Sequence, residues 1–578
     1  MKKLLCHMLL AVLLALALTG GALAAGNKET VKVGLYYGSN ALYSANLENY
    51  AGSGYRLGWF DETTREFTEV GRLDERAISM TADGTIYISG GSYSSSPSGR
   101  VDRVIGGYHV ELADTFATFE EAKYVAGQFA AAFPAYIGGA YTVRVGSFAS
   151  QAEAEVAAAT YSTYIWYDLY GGAHSFVGRA VSPSSTGVTI TVTKTDKVLF
   201  HFDCYGARNL GIQPGSGPSA GKTITWFKGY KWHGGFEYRR STGGNINVIN
   251  VVPLDDYVRG VLPYEMSTKW PLEALKAQAV CARSYALLPS KHYKSYGFDI
   301  CNTTDCQVYR GVAKDGAAVD RAVDETAGMV ATYMGQIAET YYYSSNGGAS
   351  ESSENVWSKA LPYLVGKEDP YEAMTNIPDY RYQETYTYDQ LTRILQSKKY
   401  QIGQVSGVYI SRYTPTGNVA EITFTDTSGR SLRITGEKCK TVFYTTLFGG
   451  TKSVKSMRFS FDGSIGGGGG GGIPVNGGGS ITSLSGAYAI TGDGSVFPVT
   501  GSTAITSSGI TTVTGSAAPS VSTGNSGNSI TITGIGSGHN VGMSQYGAKA
   551  MAEMGMSYMD ILQFYFTGIT IERVGYGY

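Results

Sequence analysis

Residues 252–287, VPLDDYVRGVLPYEMSTKWPLEALKAQAVCARSYAL, limit what this chain can fold into more than any other stretch. A strand-like lead-in brings the chain to one carboxylate, Glu265, and then to an alanine-rich helix. In that helix Leu272, Leu275, Ala279, Ala282 and Ala286 recur at three-four spacing along one face. Pro271 fits its first turn, and Ser267 or Thr268 can cap it. Small residues on that face let another element approach closely. Tyr264, Met266 and Trp270 surround Glu265 with apolar and aromatic groups, a setting that raises a carboxyl pKa and keeps a general acid protonated near neutrality. The adjoining helix N-terminus pulls the other way, because its dipole favours the ionised form. Glu273 is expected near a helix surface and Asp255 and Asp256 at a solvent-facing turn, so these rank below Glu265 as the acid. Cys281, among small helical residues, reads as core.

The chain opens on Lys2 and Lys3, an apolar run from Leu4 to Leu18 and the small-residue pattern Ala22-Leu23-Ala24. This reads as a secretory signal peptide over 1–25, with an uncleaved membrane anchor as the alternative. Cys6 lies inside the apolar run, away from the small residues, which argues against lipoprotein processing. No later stretch reaches roughly 18 consecutive apolar residues, so the rest of the chain is expected outside the cytoplasmic membrane, at the cell wall. A length of 578 residues implies several domains. The formal net charge of -1, with no long basic run, argues against a nucleic-acid partner. Cys204, Cys281, Cys301, Cys306 and Cys439 are too scattered and odd in number for a disulfide framework. The 44 tyrosines, against 21 phenylalanines and 6 tryptophans, suit strands and also suit surfaces that stack on sugars.

Residues 26–104 alternate as short strands punctuated by glycine and serine. Residues 105–182 hold two strand-then-helix units, and 183–244 are again strand-rich. From 463 to 529 glycine and serine crowd the chain, with a run at Gly466–Gly472 that reads as linker and alternating pieces that read as strands. The fold class is therefore strand-rich α+β with several domains. His109, His174, His201 and His233 are scattered and read as surface or satisfied core residues. The segment CNTTDCQVYRG places Cys301 and Cys306 in a turn-rich loop, a spacing that suits two thiolates on one zinc, with His292 upstream. Free thiols, or one local disulfide in an oxidising exterior, are the other readings.

The 252–287 run resembles the signature of the stage II sporulation protein D family (SpoIID/LytB). Three further segments resemble the family in the same order: YYYSSNGGASESSENVW from Tyr341, KALPYLVGKEDPYE from Lys359, and GIGSGHNVGMSQYGAKAMAEMGMSYMDILQFYFTG from Gly534. Together they make 245–462 and 530–578 a SpoIID-like core with 463–529 as its insertion. The strand YTVRVGSF and the helix after it, Tyr141 to about Tyr161, resemble the SPOR domain, which makes 105–182 a small glycan-binding module. Two departures stand out. Asn540 replaces the family's second glycine after His539, and asparagine tolerates the left-handed backbone better than most residues. Asp305 replaces the histidine of the family's zinc-associated loop, so the implied set is His292, Cys301 and Cys306, with Asp305 as a further oxygen ligand.

The resemblance implies a lytic transglycosylase that cleaves peptidoglycan glycan strands stripped of stem peptides, in sporulation or wall remodelling. Glu265 would be its acid and base. Gln278, Arg283, Tyr309, Ser345, His539 and Gln545 would hold the sugar or stabilise developing charge, and any zinc would be structural. The alternative is a non-catalytic glycan-binding enhancer of a cell-wall amidase, and the third reading is a purely structural wall-binding protein.

Overall fold

The computed structural model describes residues 29–49, 52–97, 99–215, 224–289, 291–312, 316–461 and 528–574, with short strand segments between 473 and 523. The expected signal peptide and most of the glycine-serine insertion lie outside the described residues. What is described is a strand-rich α+β chain in two compact units. One unit comprises the described residues up to Ser267 together with Ala286–Val323, the other Thr268–Tyr285 and Asp324–Val574. No helix among the described residues is long and apolar enough to cross a membrane.

In the first unit, the strand Ile246–Pro253 is buried along all but its last residue, which is why it reads as a nearly continuous apolar run. It pairs antiparallel with Thr30–Tyr36 on one side and Gly235–Arg240 on the other, inside a seven-stranded sheet. Thr30–Tyr36 also pairs in parallel with the short strand Ile300–Cys301, which fixes where the cysteine loop begins. A separate ten-stranded sheet takes strands from all three segments 26–104, 105–182 and 183–244. Its members include Ala77–Ala82, Tyr108–Leu112, Ala140–Phe148 and Val198–Asp203. The strand Ala140–Phe148 runs into helix Gln151–Tyr161, which the Ser150 side chain caps at the Glu153 amide.

Pro253 ends the buried strand, and the chain turns at once into helix Leu254–Glu265. This corrects the sequence reading, which had only a turn there. Leu254, Tyr257, Val258, Val261 and Leu262 form its buried stripe, and Gly260 admits the Tyr309 ring where a Cβ would collide with it. Asp256 is not solvent-facing: it is 7% exposed and pairs with Arg259 at 3.0 Å. Glu265 therefore closes one helix instead of preceding another, and the next helix, Leu272–Ala286, starts later. Pro271 supplies the carbonyl for its first turn, accepting from Ala274 at 3.1 Å, so the capping expected of Ser267 or Thr268 falls further along the chain. Cys281 is buried, as its neighbours suggested.

In the second unit the strand Ser529–Ile535 lies between Arg381–Thr387 and Phe459–Ser460. Phe459 faces Gly534 and Ser460 faces Thr533, so the chain leaves for the insertion and returns from it at one place. The core beneath gathers Leu391, Ile394, Ile410, Ile422, Phe424, Phe443 and Ile532.

Candidate functional site

Glu265 is half-buried at the end of its helix, and its Oε1 accepts the Val308 N–H at 3.0 Å. The helix C-terminus disfavours negative charge there, while the Val308 amide favours it. The sequence reading set the dipole of a following helix against the apolar surroundings; the helix end at Glu265 is the C-terminal one, so the dipole acts in the opposite sense. Tyr264 beside it is 42% exposed, and the exposed Arg310 guanidinium stands 5.9 Å from the Tyr264 ring and 5.6 Å from the Tyr230 ring. Arg310 Nη1 donates to the Tyr230 hydroxyl at 2.7 Å. A half-buried carboxyl in a corner that also presents an exposed tyrosine and an exposed guanidinium suits a polyol substrate.

The segment after the cysteine loop braces this corner. Gln307 accepts from the buried Tyr257 hydroxyl at 2.8 Å, Val308 anchors Glu265, and Tyr309 donates to Asn250 at 2.8 Å. Tyr309 is buried, so its hydroxyl serves the scaffold. At the head of the loop, ligand atoms of His292, Cys301, Asp305 and Cys306 all lie within 4.8 Å of one another. His292 Nε2 is 3.4 Å from Cys306 Sγ and 3.3 Å from Asp305 Oδ2. A hydrogen bond from the Cys306 thiol pulls Cys301 down to about 5, and the same contact pushes Cys306 up. Two sulfurs, an imidazole and a carboxylate so close together fit a zinc ion. Asp305 also pairs with Lys291 at 2.7 Å and is the most exposed of the four. The thiols are free, and no disulfide joins them.

In the second unit, the Tyr341–Trp357 segment and the closing block meet. Tyr342–Tyr343 runs parallel to Met543–Ser544, Ser345 bridges Ser537, and Glu351 bridges Val541. Asn540 takes φ +66° and is fully buried, with its amide donating to the Asn346 carbonyl at 3.2 Å and to Asn418 at 3.0 Å. The departure from glycine is thus accommodated: asparagine tolerates the backbone and adds two anchors.

Three buried carboxylates hold these loops. Glu372 accepts from the amides of Asn346 (2.5 Å) and Gly347 (3.0 Å), from Tyr380 (3.2 Å) and from Ser544. Asp369 accepts from Asn346 Nδ2 at 2.7 Å and Tyr565 at 2.6 Å. Glu351 takes Thr414, Thr416 and Asn418. Burial, and then the charge of Asp369, raise Glu372 to about 7.

His539 is partly buried among Trp357 (4.9 Å), Tyr343 (5.4 Å) and Tyr341 (6.4 Å). Burial, and then the Lys440 charge, hold it down to about 3, so it is neutral at physiological pH. Its Nδ1 accepts the Val541 N–H at 3.1 Å. Gln545 opens helix Gln545–Glu553 and reaches Gln278 at 3.5 Å. Gln278, Arg283 and Ser345 are buried, Arg283 donating to the Met329 carbonyl at 3.1 Å, and these three hold neighbouring backbone and side chains.

Sequence reading missed Arg310 and Tyr230, which meet each other near the Tyr264 ring. Arg310 follows Tyr309 directly and was visible as a charge, but its two aromatic partners come from distant positions. Glu372 and Asp369 lay inside a motif already noticed, yet nothing local marks a carboxylate as buried.

Residues 242–333 match the family model described as Stage II sporulation protein. An uncharacterized protein of Brachyspira hyodysenteriae is 31% identical over 327 residues, 56% of this chain and 68% of that protein. The amidase enhancer of Bacillus subtilis is 32% identical over 328 residues, 54% of this chain and 40% of its own length. Stage II sporulation protein D of Bacillus amyloliquefaciens is 26% identical over 351 residues, covering 58% and 78%.

Proposed function

The chain belongs to the stage II sporulation protein D family, and from that premise we propose that it is a lytic transglycosylase of peptidoglycan with Glu265 as acid and then base. Ordinary glycoside hydrolysis places two carboxylates about the scissile bond. One suffices here because the substrate supplies the nucleophile. Protonated Glu265 gives its proton to the glycosidic oxygen as the bond to the anomeric carbon breaks. The resulting carboxylate takes the proton of the sugar's C6 hydroxyl as that oxygen closes onto the anomeric carbon, leaving an anhydro-muramic end. The observation that carries this reading is the half-buried Glu265 anchored on the Val308 amide, next in the chain to an exposed Tyr264 whose ring the exposed Arg310 approaches at 5.9 Å.

Zinc bound by His292, Cys301 and Cys306, with Asp305, would act structurally, tying down the loop whose Val308 amide anchors Glu265. The Tyr141–Tyr161 segment is a candidate second glycan contact, and the exposed Tyr164, Tyr167 and Tyr170 that follow it offer stacking faces. The N-terminal apolar stretch fits export to the wall.

A second reading draws on the relative named amidase enhancer: the chain binds glycan and speeds a separate amidase without cutting. Purified protein incubated with denuded glycan strands and with intact sacculi separates the two by mass spectrometry. Anhydro-muramic ends that vanish with Glu265→Gln support the transglycosylase. No cleavage of either substrate, with faster peptide release when an amidase is added, supports the enhancer.

A further inference from the structure

The expectation that the scattered histidines are surface or satisfied core residues fails for two of them. His109 in strand Tyr108–Leu112, His201 in strand Val198–Asp203 and Asp83, just past strand Ala77–Ala82, bring one ligand atom each within 4.8 Å of one another. All three are buried, with His109 at 1% and His201 at 0% exposure. Two strands separate the histidines in the sheet order, yet their rings stand 6.1 Å apart, so the sheet curls to bring them together.

Each side chain is oriented from behind. His109 Nδ1 lies 2.8 Å from the Gly146 carbonyl, which can only accept, so Nδ1 carries the proton and Nε2 presents its lone pair. His201 Nδ1 bonds Thr189 Oγ1 at 3.1 Å, and Asp83 Oδ2 accepts the Ser184 N–H at 2.6 Å. The atoms left over, His109 Nε2, His201 Nε2 and Asp83 Oδ1, are buried and have no hydrogen-bond partner among the described residues. Interiors seldom leave polar atoms so, and a converging set calls for an occupant.

We propose that Asp83, His109 and His201 hold a structural divalent transition-metal ion, with zinc the best match to two imidazoles and one carboxylate. Imidazole donors favour zinc and its neighbours over magnesium or calcium. The Gly146 carbonyl, Thr189 hydroxyl and Ser184 amide are the kind of outer partners that orient metal ligands. Two guanidiniums lie nearby: Arg144 bonds Glu111 at 3.1 and 2.9 Å, and Arg240 bonds the Asp83, Ser184 and Gly187 carbonyls, while Arg144 Nη1 and Arg240 Nε are buried without a hydrogen-bond partner among the described residues. Glu111 and Asp203 offset their charge. The ligands come one each from the segments 26–104, 105–182 and 183–244, so the ion would pin three stretches of chain to one sheet. Its burial means capture during folding.

Full-length protein carrying Cys301→Ser and Cys306→Ser, which removes the thiolates of the other cluster, is refolded with cobalt(II) and freed of excess metal. About one cobalt per chain is expected, with visible d–d absorption and no sulfur-to-cobalt charge-transfer band. Asp83→Asn in that background keeps the shape and is expected to weaken cobalt retention by at least about tenfold. His109→Phe is expected to abolish it. Should His109→Phe not fold, Asp83→Asn and a zinc-dependent rise in the parent's unfolding midpoint carry the test on folded protein. A folded parent that retains no cobalt and whose midpoint zinc leaves unmoved overturns the proposal in favour of a buried water. Equal retention by parent and Asp83→Asn overturns it as well.

Discussion

Glu265 and Glu372 are both glutamates in motifs of the same family, yet their surroundings differ in kind. Glu265 is half-buried, takes the Val308 amide on one oxygen, and follows an exposed tyrosine whose ring an exposed arginine approaches. Glu372 is 1% exposed and takes donors from Asn346, Gly347, Tyr380 and Ser544. A carboxyl that must trade a proton with a substrate needs the first setting. A sealed carboxyl held by two backbone amides and two hydroxyls is a fastener, because its hydrogen-bonding capacity is taken up within the protein.

That contrast is most exposed to failure at Glu265→Gln. Glycan cleavage is expected to fall about 10²- to 10⁴-fold by product analysis, with stability changed by less than about 0.5 kcal/mol. Retained cleavage would remove Glu265 from the chemistry. Glu372→Ala strips the acceptor from two amides and two hydroxyls and is expected to cost about 3 kcal/mol in denaturant unfolding. A near-neutral result would erase the distinction between the two glutamates. Asn540→Ala forces an alanine into φ +66° and deletes two anchors, for about 2 kcal/mol, whereas Asn540→Gly keeps the backbone and should cost about 1.

The same contrast predicts a pH effect. Folded Glu372 holds its proton up to about 7, while an ordinary glutamate releases it near 4.5. Its contribution to stability is therefore present below about pH 4.5 and is lost as pH rises through about 7. Unfolding midpoints measured across that window should show this component in the wild type and not in Glu372→Gln. An unchanged slope in the variant assigns the effect elsewhere. The smallest change is expected at Arg310→Ala, which should leave stability within about 0.5 kcal/mol and raise KM for glycan with little change in kcat.

Much of the molecule was legible along the chain. The buried strand Ile246–Pro253 was legible as a strand-like stretch rich in valine and isoleucine, and helix Leu272–Ala286 by its three-four spacing. The cysteine loop's ligand spacing was visible too, because Cys301 and Cys306 are local neighbours. Helix Leu254–Glu265 was hidden by Pro263 in its last turn and by the aspartates at its start, which read as a turn. Proline there breaks a local pattern without breaking the helix, since tertiary burial of Tyr257, Val258 and Val261 outweighs propensity. Arg283 and Tyr309 were read as substrate contacts from their polarity, but burial depends on what packs over a residue and leaves no mark on its own identity.

By itself the sequence determined the alternation that makes strands, the periodicity of the alanine-rich helix, the ordered family motifs and the short-range cysteine spacing. All of these depend on residues close along the chain. Only the folded chain decided which carboxylate is half-buried and which is sealed, and only a curled sheet could gather Asp83, His109 and His201 from three separate stretches. Exposure and convergence are properties of three-dimensional neighbours, and residues tens of positions or more apart carry no local record of who those neighbours will be.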